Sequence, residues 1–139
     1  MSRLLVVDAS VVLAWVFREP DHERATEVLD QWVCGRVDLL APRILIEEIA
    51  SVLCKRVRRK HIMQMEAVEA FTILAGNPPR LVDNDIPGAL QLGLRHGISF
   101  WDGLYLALAI DRRCDFVTAD KRLYAAASRM YPHTRHLAA

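Results

Sequence analysis

The sequence predicts an α/β fold with a short-stranded, mainly parallel central sheet covered by helices on both faces. Three observations predict it. Runs such as Leu4-Leu5-Val6-Val7 and Phe116-Val117 are apolar without alternation, as strands buried on both faces are. They are interleaved with longer segments whose apolar residues recur at helical spacing. Gly and Pro clusters punctuate the boundaries between them.

Taken in order, residues 3–8 read as the first strand and 9–17 as a short helix ending before the turn at Glu19-Pro20. Asp21 opens a second helix, with Ala25, Val28, Leu29 and Trp32 on one stripe and Gly35 as its stop. Residues 37–40 form a strand, and Pro42 fits the first position of a long helix running through Val57. A helix over 61–75 ends at Gly76-Asn77-Pro78-Pro79, and 80–82 is a brief strand. Residues 85–96 form a helix stopped by Gly97, followed by a helix over 99–110, a strand over 115–118 and a helix over 120–127. A last short strand covers 133–137. The 139 residues make one domain, 1–139, without internal repeat or linker.

A hydrophobic fraction of 53% with 25% charged residues describes a compact chain and excludes disorder. The net charge of +1 means that any nucleic-acid binding must come from a local patch. Cys34, Cys54 and Cys114 are odd in number and widely spaced, which fits reduced thiols in a cytoplasmic protein. Arg3 and the apolar residues after it resemble a signal peptide. However, Asp8 interrupts the run, no small-residue cleavage site follows, and the run is too short to cross a bilayer.

Four acids stand out. Asp8 closes the first apolar run, Asp120 follows Phe116-Val117-Thr118-Ala119, Asp102 opens the apolar stretch 103–110, and Glu48 lies among Ile44, Leu45, Ile49 and Val52. In open α/β sheets, sites form beyond the carboxyl ends of the strands, where Asp8 and Asp120 fall. Both also suit helix N-caps, and Ser99-Phe100-Trp101-Asp102 resembles a capping box with Asp in place of Glu. Glu48 resists that reading: it lies on or beside an apolar stripe, with only Lys55, two turns on, as a basic neighbour. Two carboxylates about 4 Å apart repel by roughly 4 kcal/mol at an effective dielectric near 20, so converging acids would take up protons or hold a cation. An all-oxygen set suits Mg²⁺ or Mn²⁺, with hydroxyls of Ser10 and Thr118 to orient waters or ligands.

Val7-Asp8-Ala9-Ser10, Ala41-Pro42 leading to Glu48-Ile49-Ala50, the run Trp101-Asp102-Gly103 through Ala109, and Val117-Thr118-Ala119-Asp120-Lys121-Arg122-Leu123 resemble the ordered motifs of a PIN domain. More narrowly, they resemble VapC-type toxins of toxin–antitoxin pairs. The resemblance covers nearly the whole chain. It implies a three-layer α/β/α fold and a Mg²⁺- or Mn²⁺-dependent endoribonuclease that leaves 5′-phosphate and 3′-hydroxyl ends. It also implies a homodimer and a VapB-like antitoxin wrapping the active-site groove. By motif position it carries the catalytic and metal-binding roles to Asp8, Glu48, Asp102 and Asp120, with Ser10 and Thr118 as supporting hydroxyls. Ser51 stands where Asn is common, and Gly103 where Ala is usual.

The basic run from Lys55 to His61 offers Lys55, Arg58 and Arg59 as RNA contacts, or else a solvated helix end. Arg112, Lys121 and Arg122, near the acidic motifs in sequence, are further candidates. His133 and His136 read as structural or surface residues. Trp15, Phe17, Trp32 and Trp101 read as core or interface, with Trp15 and Phe17 as candidates for a dimer or antitoxin surface. Two other functions remain open: a PIN-fold RNA-processing nuclease without antitoxin, told apart by a small reading frame immediately upstream, and a non-catalytic binding module, told apart by Mn²⁺ titration. A phosphotransfer site at Asp8 is disfavoured, because Ala9-Ser10 lacks the second acid of an Asp-x-Asp motif.

Overall fold

The computed structural model describes residues 2–139. Five strands alternate with seven helices: β1 (Arg3–Val7), α1 (Ala9–Val16), α2 (His22–Val33), β2 (Val37–Pro42), α3 (Leu45–Arg58), α4 (Gln64–Gly76), β3 (Arg80–Val82), α5 (Ile86–His96), α6 (Phe100–Arg112), β4 (Asp115–Thr118), α7 (Lys121–Met130) and β5 (Thr134–His136). The strands form one sheet in the order β3-β2-β1-β4-β5. Every pairing is parallel, with Val6 opposite Leu40 on one side and Phe116 on the other.

The unalternating apolar runs have the expected cause. Leu5, Val7, Leu39 and Val117 point to one face, where they pack with Val11, Ala14 and Ala25 of α1 and α2. Val6, Leu40 and Phe116 point to the other, against residues of α3, α4, α6 and α7. Both faces are therefore dry, and the architecture is the predicted three-layer α/β/α sandwich. Strand order runs outward from β1 in both directions, so the crevice between β1 and β4 is the topological switch point.

Two helix starts differ from expectation by three residues. Pro42 does not start a helix: it ends β2, paired with Val82, and Arg43 N donates to Val82 O at 2.9 Å. A proline holds the residue before it extended, which here prolongs the strand, and α3 begins three residues later. The following helix starts at Gln64 instead of 61, because the Glu66 carboxylate accepts from Met63 N at 2.9 Å and caps it there.

Gly103 has a packing reason. α6 crosses α5 so closely that a Cβ at Gly103 would lie 2.9 Å from Ala89 O and 3.3 Å from Ala89 Cα. Both are backbone atoms and cannot rotate away. Gly103→Ala is expected to cost about 1–3 kcal/mol through overpacking, read as a lower denaturation midpoint with unchanged slope. An unchanged midpoint would show that α5 can back away.

Candidate active site

The switch point is where the acids gather. Asp8 follows β1 and is only 6% exposed. Its Oδ1 accepts from Ser10 N at 3.1 Å, from Val11 N at 3.4 Å and from Ser10 Oγ, which makes it the N-cap of α1. Its Oδ2 accepts from Thr118 Oγ1, at the end of β4, at 2.6 Å. The same two hydroxyls accept in turn: Ala119 N donates to Ser10 Oγ at 2.9 Å, and Asp120 N donates to Thr118 Oγ1 at 3.0 Å. Ser10 and Thr118 thus lace the β1–α1 junction to the β4–α7 junction. Burial pushes the Asp8 carboxyl up to about 6, against the lowering effect of these donors and with a smaller push from the charge of Asp102.

Asp120 caps α7 with one oxygen, Oδ1 accepting from Arg122 N at 2.9 Å and Leu123 N at 3.1 Å. Asp102 stands in the first turn of α6, where Ser99 Oγ accepts from its backbone N–H at 3.0 Å. Burial raises its proton affinity, Ser99 lowers it, and the nearby charge of Asp120 raises it again. Capping and site formation are therefore compatible for both Asp8 and Asp120: the cap bonds occupy Oδ1.

Glu48 comes from α3, one turn in. It is half-buried, and its Oε1 is fully enclosed without a hydrogen-bond donor. Burial raises its proton affinity, and the charges of Asp8 and Asp102 raise it further. Tyr105, on α6 one turn beyond Asp102, is close enough to soften that rise, and its own hydroxyl is pushed well up by burial and by Glu48. Neither Oε1 nor the tyrosine hydroxyl completes a well-aligned bond. Tyr105 was hidden in the apolar run 103–110; its spacing of three from Asp102 was the available signal.

Asp8, Glu48 and Asp102 thus each have a proton affinity raised in part by a neighbouring acid, but the four acids do not form a closed ligand cluster. Among the described residues, no three His, Cys, Asp or Glu side chains are placed to hold one ion as they stand. The fit to a hard cation rests on donor chemistry and on Glu48 Oε1, a buried acceptor that lacks a hydrogen-bond donor.

Of the basic candidates, Lys121 and Arg122 lie exposed in the first turn of α7, beside Asp120. The charge of Lys55 reaches Glu48, while Arg58 and Arg59 are exposed at the far end of α3. Arg112 ends α6, ten residues and about 15 Å along the axis from Asp102, the same separation as Arg58 from Glu48 on α3. Arg56 is engaged elsewhere, pairing with Glu19 at 2.6 Å and lying 5.1 Å over the Phe17 ring. Trp15 stacks on Trp32 and donates to Ala25 O, which ties it to the α1–α2 packing. His133 is exposed near Asp115, and buried His136 contacts Ala119 O at 3.1 Å, both structural placements.

The family model of the PIN domain matches residues 5–128. The chain is 35% identical over 91 residues to ribonuclease VapC1 of Mycobacterium tuberculosis, an alignment spanning 62% of this chain and 65% of that protein. The chain thus spans slightly under two thirds of the length of that curated relative. Among solved structures, PAE2754 from Pyrobaculum aerophilum superposes with a TM-score of 0.74 at 19% identity, over 99% of this chain and 93% of that one. VapC20 of Mycobacterium tuberculosis, a sarcin-ricin loop cleaving toxin, gives 0.64 at 18% identity, over 88% and 94%. VapBC2 from Rickettsia felis, bound to a DNA fragment from its promoter, gives 0.63 at 12% identity, over 96% and 98%. At these identities the structural likenesses show the fold alone.

Proposed function

This chain belongs to the PIN-domain family, and from that premise we propose that it is a metal-dependent endoribonuclease, the toxin of a VapBC-type toxin–antitoxin pair. The observation that carries the reading is Glu48 Oε1, a buried carboxylate oxygen without a donor, facing the same crevice as Asp8 and Asp102. Asp8, Glu48, Asp102 and Asp120 would hold Mg²⁺ or Mn²⁺. Such an ion supplies an acidified water and neutralises charge on the scissile phosphate.

The chain's own residues do the rest. Ser10 and Thr118 hold both oxygens of Asp8 in one orientation, so the crevice is organised before substrate arrives. Asp102, with its raised proton affinity and partial exposure, is placed to accept the proton of an attacking water on its carboxylate. Lys121 and Arg122 offer cations to the flanking phosphates, with Lys55, Arg58 and Arg59 along α3 as a second basic surface. The three free cysteines fit work in a reducing cytoplasm. None of the helices among the described residues is long and apolar enough to cross a membrane.

An antitoxin partner is supported by solved structures of similar fold that are toxin–antitoxin complexes. A homodimer is supported by α5, whose outer face carries Ile86, Leu90 and Leu94 at four-residue spacing, with Leu94 78% exposed. Leu94→Asp is expected to halve the mass in sedimentation while leaving the circular dichroism spectrum unchanged; an unchanged mass would place the dimer contact elsewhere. The reading as a whole is tested by sequencing RNA ends after induced expression, with and without the adjoining reading frame. New 5′-phosphate ends that vanish on co-expression support it. The absence of new ends refutes it.

A further inference from the structure

Of the three tryptophans, Trp101 alone turns most of its surface to solvent, at 54% exposed. Trp15 and Trp32 stack on each other with ring centroids 5.8 Å apart. An indole carries more apolar surface than any other side chain, so leaving one in water forgoes a large burial term. Yet this ring is anchored. It stands in the first turn of α6 and meets half-buried Phe100 edge to face at 5.1 Å and 76°.

Its surroundings match a nucleic-acid strand. The next residue is Asp102, so the two Cα atoms are about 3.8 Å apart. Trp101 shares a helix face with Tyr105, four residues further along α6. The α7 turn carries Lys121 and Arg122, both exposed. An exposed aromatic ring on one turn and exposed cations on another supply the two elements that hold single-stranded nucleic acid: phosphates go to the charges, and a base lies on the ring.

We propose that Trp101 is a stacking platform for the base of a nucleotide adjoining the scissile phosphate in single-stranded RNA. The proposal rests on the ribonuclease reading and adds to it a specificity-determining residue. Because any base has a π-face but a purine has the larger one, the platform favours a purine at that position.

The test is steady-state cleavage of labelled oligoribonucleotides by wild type, Trp101→Ala and Trp101→Phe in Mn²⁺. Trp101→Ala is expected to raise KM roughly 5- to 100-fold, the range that base–aromatic stacking covers. Its kcat is expected to stay within about twofold, and Trp101→Phe to recover most of the loss. Independently, oligo-adenylate added in EDTA is expected to quench the tryptophan fluorescence of wild type but not of Trp101→Phe, which keeps Trp15 and Trp32. An unchanged KM in Trp101→Ala overturns the proposal. So does a change in oligomer mass with KM unaltered, which would make the ring a protein contact. If wild type cleaves no RNA, the ribonuclease reading fails and this proposal with it; if wild type cleaves and Trp101→Ala matches it, this proposal alone fails.

Discussion

Asp8→Asn is expected to lower metal-dependent RNA cleavage by more than about 100-fold, since even residues that only support a metal ligand cost about 10- to 100-fold when removed. The fold should survive. Asn retains an Oδ1 to accept from Ser10 N and Val11 N, so α1 keeps its cap. The new amide can donate to Thr118 Oγ1, although the short Ser10 and Thr118 contacts to a carboxylate weaken. The measurement is cleavage at saturating Mn²⁺ beside a thermal melt. Near-wild-type cleavage by a folded Asp8→Asn protein would remove Asp8 from the chemistry and reduce it to a cap.

The second large effect is on pH and metal. In the folded chain the Asp8 carboxyl sits at about 6 instead of the ordinary 3.8. Below 3.8 the group is protonated in both states and makes no difference. Between 3.8 and 6 the folded state still holds a proton that the unfolded state has released, so stability falls as pH rises. Above 6 the full penalty is present, about 3 kcal/mol for a shift of this size. Glu48 and Asp102 push in the same direction. Metal-free protein should therefore lose stability between pH 4 and 7 relative to Asp8→Asn, a comparison that cancels the other acids. A divalent cation binds the ionised form, so Mn²⁺ should raise the melting temperature of wild type far more at pH 7 than at pH 5. Equal Mn²⁺ shifts at both pH values would contradict the assignment of the crevice as a cation site.

Much of this was legible in the sequence, for reasons that differ by residue. The strands were visible because both faces of the sheet are dry, which forces Leu4 to Val7 and Phe116-Val117 to be apolar throughout. Asp21, Asp85 and Ser99 marked helix starts, and the side chains of Asp85 and Ser99 cap theirs. Asp8 and Asp120 stood at strand ends, but that β1 and β4 are neighbours is a property of strand order, which hydrophobic periodicity does not carry. Arg112 is near the acidic motifs in sequence but not in space, since a helix separates its ends by about 1.5 Å per residue. Pro42 was misread because its fixed φ suits a first helical turn and a strand end equally well. The half-burial of Glu48 was legible from helix geometry, whereas the facing Tyr105 looked like one more core residue.

The lacing of Ser10, Asp8 and Thr118 has a temporal consequence. Asp8 is synthesised well before the hydroxyl that orients its Oδ2, which lies 110 positions later. Until β4 has been made and has slotted in beside β1, Asp8 lacks that restraint and Asp120 has no strand to follow. A nascent chain that has not yet formed β4 therefore carries an unrestrained crevice, and the arrangement is completed only once the two strands have paired.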